Sequence, residues 1–342
     1  MPMLRQELFQ GPTRVGARIK TPWLVLLALA TIVLWRVSAY IAAERGLGVA
    51  PMLEAVRIMA RASQVIRSEK FARSLLQGPD LDPNQTGLIG PEWTETTTTL
   101  GDLPAKRTLT NPDVAAWLAR LLGDAGLRPG DTVGVVLSGS FVGGNIAAFS
   151  AVESLRLRPV AIASLGASMY GAADAGFTWL DMEAAVRSAG LWHVRSSHAL
   201  LGGEASLARD LSDEARESLR RAARRNGVAL LQAADFPSTV RSAALALGLA
   251  QGGVPRPKLL INIGGAQAAL GSCREAQDIA PGLVRKPIHC AGGTPGLIQL
   301  ALDQGIPVLN VFKIRELAHR YGLPFDPVPL PTPGENPFVY PR

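Results

Sequence analysis

What constrains this chain most is a repeated alternation that begins at Asn111: short, continuously apolar runs separated by stretches with helical spacing. The apolar runs are Thr132 to Leu137, Pro159 to Leu165, Val228 to Leu231, Lys258 to Ile263 and Ile306 to Phe312, with Trp192 to Val194 reading as a further extended piece. Between them the pattern predicts helices from Asn111-Pro112 to Leu122, Asn145 to Leu155, Asp181 to Ala189, Ser212 to Asn226, Ser238 to Gln251 and Pro295 to Gln304. A strand that is apolar on both sides must be covered on both sides, and strands spaced by helices join most readily in parallel. The expected fold is therefore α/β, a doubly wound, mostly parallel sheet with helices on both faces.

A second constraint stands ahead of that domain. Thr21 to Trp35 contains no charged residue, and Val37 to Ala43 is again mostly apolar. Residues 21–43 thus approach the roughly 20 residues that a membrane-spanning helix needs, with Trp23, Trp35 and Tyr40 at interfacial depth and Arg36 able to snorkel. Arg5, Arg14, Arg18 and Lys20 against Glu7 would hold residues 1–20 in the cytoplasm and place the main domain outside, a single-pass cell-membrane protein. The rival is a cleavable signal peptide, since Val37-Ser38-Ala39 offers small residues for cleavage.

The net charge of +7 follows in large part from this topology, because Met1 to Ala43 holds five positive side chains against one negative. The remainder is too weakly basic to suggest a nucleic-acid partner. With 47% hydrophobic and 18% charged residues over 342 positions, the chain has ample material for a core. Residues 44–107 read as an amphipathic helix, either a stalk or the first helix of the domain, followed by an irregular connector. In that helix Met52, Val56, Met59, Ser63 and Ile66 share one side, with Arg57, Arg61, Arg67 and Lys70 on the others. The α/β domain is expected over 108–323, and a Pro-rich tail over 324–342 should run extended on the surface.

Ligands of open α/β sheets gather at the carboxyl ends of the strands. The first run ends in Ser138-Gly139-Ser140-Phe141-Val142-Gly143-Gly144-Asn145, the second in Gly166-Ala167-Ser168, and a third in Asn262-Ile263-Gly264-Gly265. Gly292-Gly293-Thr294 opens a further helix. Ser138, Gly139, Ser140, Gly143, Gly144, Asn145, Ser168, Gly264, Gly265, Gly292, Gly293 and Thr294 are accordingly candidate ligand-binding residues around one pocket, suited by backbone N–H groups and short polar side chains to a carboxylate or phosphate. Each loop also has a plainer reading as a tight turn.

Neither a dinucleotide fingerprint, a P-loop nor a hydrolase elbow is present, so no cofactor is expected. His193, His198, His289 and His319 have no ligand spacing, and no metal site is expected. Ser138, Ser140 and Asp181 are the candidates for catalysis, although Asp181 reads first as a helix N-cap. Arg220 to Arg225, preceded by Asp213, Glu214 and Glu217, reads as a solvated helix face. Cys273 and Cys290 are the two cysteines, free to pair in an oxidising compartment.

Taken with Leu137 to Phe141, Gly166-Ala167-Ser168, Phe177 to Glu183 and Gly264-Gly265, the chain resembles the poly-γ-glutamate system proteins, bacterial proteins with one N-terminal membrane segment. Val142-Gly143-Gly144 departs from the bulkier, Pro-containing segment expected there. The resemblance implies a membrane-anchored accessory protein of poly-γ-glutamate synthesis or export in the cell envelope or capsule. Its domain would bind the polymer, or another carboxylate ligand, by its chain or a glutamyl end, beside other membrane subunits. The alternatives are an envelope hydrolase or transferase acting on γ-glutamyl amides through a serine, and a ligand-free scaffold or signalling protein.

Overall fold

A computed structural model describes residues 21–45, 48–252 and 254–340. Two units separate, Met1–Gly46 and Leu47–Arg342. The first contributes helix α1 (Thr21–Arg45), in which the side chains of residues 22–36 are exposed. Among the described residues no helix is long and apolar enough to cross a membrane. The expected cytoplasmic tail, 1–20, and the side chains of 37–43 lie outside the described residues.

The second unit is a seven-stranded sheet with two small companion strands. In chain order its elements are α2 (Val49–Ala72), β1 (Thr97–Thr99), α3 (Leu103–Thr108), α4 (Asp113–Asp124), β2 (Thr132–Ser138), α5 (Val142–Ser154), β3 (Arg158–Ser164) and β4 (Ala167–Ser168). They continue as α6 (Trp179–Ser188), β5 (Ser196–Leu200), α7 (Asp213–Arg225), β6 (Ala229–Leu230), α8 (Phe236–Ala246), β7 (Leu259–Ile263), α9 (Gln267–Leu270), β8 (Gly282–Val284), α10 (Leu297–Asp303), β9 (Val308–Val311) and α11 (Ile314–Tyr321).

Across the sheet the order is β6-β5-β3-β2-β7-β9-β8, parallel except for β8, which runs against β9. The chain starts in the middle at β2, builds outward through β3, β5 and β6, then returns to add β7 and β9 on the other side. β2 and β7 are thus adjacent strands whose successors lie in opposite directions, the arrangement that opens a crevice at the carboxyl edge.

Both sides of the central strands are buried, as their largely continuous hydrophobicity requires. Val133, Val135 and Leu137 of β2, Ala161 and Ala163 of β3 and Ile261 and Ile263 of β7 face a core completed by α2, α4, α5, α6, α7 and α11. Val136, Ile162, Leu260 and Val308 face the other way, onto α8 and α10. Helix α2 belongs to the first of these cores and is no stalk: Met52, Ala55, Met59, Ala62 and Ile66 are fully buried in it.

Several expectations require correction. Lys70, assigned to an outer side of α2, is buried and donates to the Ile89 carbonyl at 3.0 Å. Trp192 to Val194 is not a strand, because Trp192 turns inward to meet Phe149 edge-on at 5.6 Å and the chain extends only from Ser196. Thr178, not Asp181, caps α6; Asp181 sits three residues later and completes a capping box by accepting from the Thr178 backbone at 2.7 Å. Finally, the tail does not stay on the surface throughout, since Val339 and Tyr340 are buried and the Tyr340 hydroxyl donates to Asp113 at 2.6 Å.

Cys273 and Cys290 form a disulfide, with Cα atoms 5.3 Å apart and a sequence separation of 17. Closing a loop of that length restricts the unfolded chain and typically contributes about 3 kcal/mol. Reduction of the full-length protein is therefore expected to lower its unfolding free energy by about that amount. Urea denaturation with and without reductant measures the difference, and superimposable curves would show that the bridge holds nothing.

Candidate functional site

The loops leaving β2, β3 and β7 meet at the carboxyl edge of the sheet and enclose a cleft of about 680 Å³. The end of β2 and the loop after it supply Ser138, Ser140 and Phe141; the end of β3 and the chain after it supply Ser164, Gly166 and Ser168; the turn from β7 into α9 supplies Gly265, Ala266 and Gln267. Phe312 closes the far side. Around the mouth lie Asp102, Glu204 and Asp210, and Lys106 reaches in from α3.

Three of the four sequence-predicted loops therefore converge, and the fourth does not. Gly293 and Thr294 pack against Ser272, whose hydroxyl accepts from the Thr294 N–H at 2.9 Å, while the Gly292 carbonyl lies beside Cys290 of the disulfide; none of the three lines the cleft. Within the first loop the candidates also divide. Helix α5 starts at Val142, three residues earlier than its sequence pattern suggests, which draws Gly143, Gly144 and Asn145 into its first turn. A Cβ on Gly143 would lie 2.4 Å from the Leu109 carbonyl oxygen, and one on Gly144 would meet Ile263, so both glycines serve close helix packing. Asn145 is fully buried; its Nδ2 donates to the Ser138 carbonyl at 2.8 Å and its Oδ1 accepts from the Ser138 N–H at 3.3 Å. It clamps the strand-to-helix turn and presents nothing to a ligand.

Gly139 is likewise an internal seam. Its N–H donates to the Ser164 carbonyl at 2.8 Å and its own carbonyl accepts from Ala172 at 2.8 Å, which ties the first loop to the second. Gly264 holds φ +88°, a conformation natural to glycine, and directs the chain under Phe141 to present Gly265 to the cleft. Buried Asn262 supports that turn, donating to the Gly264 carbonyl at 2.9 Å and to Asn310 Oδ1 at 2.8 Å.

Ser138, Ser140 and Ser168 form a chain of contacts. The Ser138 hydroxyl accepts from the Ser140 N–H at 3.2 Å, and the Ser140 hydroxyl accepts from the Ser168 N–H at 2.9 Å. Asp181 lies elsewhere, in an ion pair with Arg225 and hydrogen bonds from Asn226 and Thr178. Burial works against its charge, but those three donors prevail and hold its carboxyl below the usual carboxylate range. It is a structural anion joining α6 to α7. On α7 the arginine run is paired as expected for a solvated face, Arg220 and Arg224 with Glu217.

The residue that sequence reasoning missed is Lys106. It is 4% exposed, and its Nζ donates to the Ser168 hydroxyl at 2.9 Å and to the Ser140 carbonyl, 5.1 Å from the centre of the Phe141 ring. Burial lowers its pKa to about 7, and the nearby charge of Asp102 offsets only part of that. A usable signal existed in Asp102-Leu103-Pro104, an N-cap followed by proline, which starts a short helix inside what reads as connector.

One wall of the cleft is under backbone strain. Ala205, Ser206 and Ala208 all hold positive φ, between 53° and 58°, conformations costing non-glycine residues on the order of 1 kcal/mol each. The segment is held by Asp210, which accepts from the Glu204 N–H at 2.7 Å, and by Gln267, which accepts from the Ala205 N–H at 2.6 Å.

Among the described residues no group of three or more His, Cys, Asp or Glu side chains could hold a metal ion. What the cleft offers is a cation with tunable charge, short hydroxyls and flanking carboxylates, a set that can hold a small zwitterion or polarise a carbonyl. Comparison with protein-family models, curated proteins and solved structures finds no match.

Proposed function

We propose that this chain is a membrane-anchored accessory protein of a poly-γ-glutamate system, whose α/β domain takes a glutamyl end of the polymer into the cleft beneath Phe141. The observation that carries this reading is the pairing of Lys106 and the serine loops with Asp102, Glu204 and Asp210 around one opening. An amino-terminal γ-glutamyl unit carries an α-carboxylate and an α-ammonium on one carbon. Lys106 suits the first and the acidic rim suits the second. A run of polymer carboxylates alone would meet three like charges there, which favours an end over the middle of a chain.

The anchor reading rests on the uncharged run Thr21 to Trp35, which is helical within α1, and on the basic residues that precede it. It places the cleft outside the cytoplasm at the cell membrane.

Calorimetric titration of the full-length protein in detergent with short γ-linked glutamate oligomers tests the proposal. Binding is expected for oligomers with a free amino end, with little for end-acetylated ones. Lys106→Gln should weaken binding about tenfold, the loss expected for one charge-assisted hydrogen bond. Because Lys106 must be protonated to hold a carboxylate, affinity should rise as pH falls through about 7. Equal affinity for free and acetylated ends would reject the end-binding reading.

A further inference from the structure

We propose that Ser168 and Lys106 form a nucleophile and general-base pair for acyl transfer, cleaving an amide held in the cleft. Of the serines around the cleft, Ser138 and Ser140 are the candidates by sequence; the geometry selects Ser168. The Ser138 and Ser140 hydroxyls are taken up as acceptors of backbone N–H groups, whereas the Ser168 hydroxyl meets an amine at 2.9 Å.

Both members are held in place before any substrate arrives. Ser168 ends strand β4, with its N–H fixed by Ser140 and the following N–H, that of Met169, bonded to the Thr99 carbonyl at 3.0 Å. The chain then turns sharply: Gly171 N–H returns to the Ser168 carbonyl at 3.0 Å and Tyr170 takes φ +64°. A reactive side chain at the start of a strained turn, facing a cleft, is a recurrent way of exposing a nucleophile. On the other side the Ser140 carbonyl accepts one N–H of Lys106, which orients the amine toward Ser168.

In the neutral amine, the contact with Ser168 can run in reverse, with the hydroxyl donating to the nitrogen lone pair. Burial makes that neutral form the main one above about pH 7. The charged groups that share the cleft with Lys106 are Asp102 at the start of its own helix and Glu204 and Asp210 on the facing loop.

The chemistry balances with water as the only co-reactant. Ser168 Oγ forms a bond to the amide carbon while its proton passes to Lys106 Nζ. The carbon–nitrogen bond breaks as Lys106 returns that proton to the departing amine, leaving an ester on Ser168. Water then attacks the ester, giving a proton to Lys106, and the acyl–oxygen bond breaks with that proton restored to Ser168. The products are an acid and an amine, with Ser168 and Lys106 unchanged. The inference takes from the previous section only the cleft and the amide class of its occupant.

A fluorophosphonate reagent, which carries no glutamyl group, tests the pair separately from polymer binding. Incubation of the full-length protein, followed by peptide mass spectrometry, is expected to find the phosphonyl adduct on Ser168 and none in Ser168→Ala. The rate of labelling should rise with pH to a plateau above about 7, opposite to the trend expected for carboxylate binding. Lys106→Arg retains a cation but cannot act as a base, and should slow labelling at least 100-fold, the low end for a general base. If that variant fails to fold, the adduct position and the pH profile of the wild type decide the matter. No adduct on Ser168, an adduct on Ser138 or Ser140 instead, or a pH-independent rate would overturn the proposal, whether or not γ-linked oligomers bind.

Discussion

Asn145→Ala is expected to destabilise the α/β domain by about 3 kcal/mol. The substitution deprives the buried Ser138 N–H of its acceptor and the Ser138 carbonyl of a donor at 2.8 Å. Two hydrogen bonds at about 1 kcal/mol each, with one buried group left unsatisfied, account for a loss of that size. Gly143→Val should cost a similar amount, because its Cβ would lie 2.4 Å from a backbone oxygen that has no freedom to retreat. Ser168→Ala, in contrast, should fall within about 1 kcal/mol of wild type. Urea denaturation of the three variants separates residues that build the cleft from one that serves its occupant. Wild-type stability in Asn145→Ala would mean that its side chain faces outward after all.

Between pH 4.5 and 10.5 the protein should be least stable near neutrality as far as three buried groups decide it. Burial raises the Glu183 carboxyl from 4.5 to about 7, with the hydrogen bonds from Ser196 only partly opposing the shift. The folded state therefore binds more protons than the unfolded state between 4.5 and about 7, and stability falls as pH rises through that window. Burial lowers Lys106 from 10.5 to about 7 and Lys70 from 10.5 to about 8, with Asp102 and Asp82 respectively offsetting part of each shift. There the unfolded state binds more protons, and stability rises with pH up to 10.5. The Glu183 shift corresponds to roughly 3 kcal/mol at 1.4 kcal/mol for each pH unit. Glu183→Gln should flatten the acid limb and Lys106→Met should reduce the alkaline one, read from urea midpoints across the range. A curve that rises steadily from pH 4.5 to 7 in the wild type and is unchanged by Glu183→Gln would refute the assignment.

The strands that were legible in the sequence are those whose environment leaves no choice. β2, β3, β7 and β9 are buried on both sides along most of their length, so their residues are mainly apolar on both faces, with Asn262 and Asn310 pairing with each other where two polar residues do enter. β5 was misplaced by several residues because it carries Ser196, Ser197 and His198, while the apolar Trp192 just before it packs on α5. β1, β4 and α3 are three, two and six residues long, too short to establish any period. The site was legible in part for a related reason. Glycine and serine after a strand do mark the carboxyl edge, but whether a given glycine admits a ligand or a neighbouring helix depends on the distant partner, Leu109 for Gly143 and Phe141 for Gly264. Lys106 was hidden because a single cation in an irregular stretch has no pattern, and only the fold brings it to Ser168 across 62 positions of sequence.

Residues 326–340 are stitched to α3, to α4 and to the segment ahead of them. Arg107 forms an ion pair with Asp326, Asn84 donates to the Pro327 carbonyl at 2.8 Å, Arg120 donates to Phe338 at 2.7 Å, and Tyr340 reaches Asp113. These contacts place residues 326–340 against α3 and α4, 218 to 227 positions earlier in the sequence. Because Asp113 of α4 meets Tyr340 across 227 positions, α4 cannot complete its packing until the chain has been made as far as Tyr340.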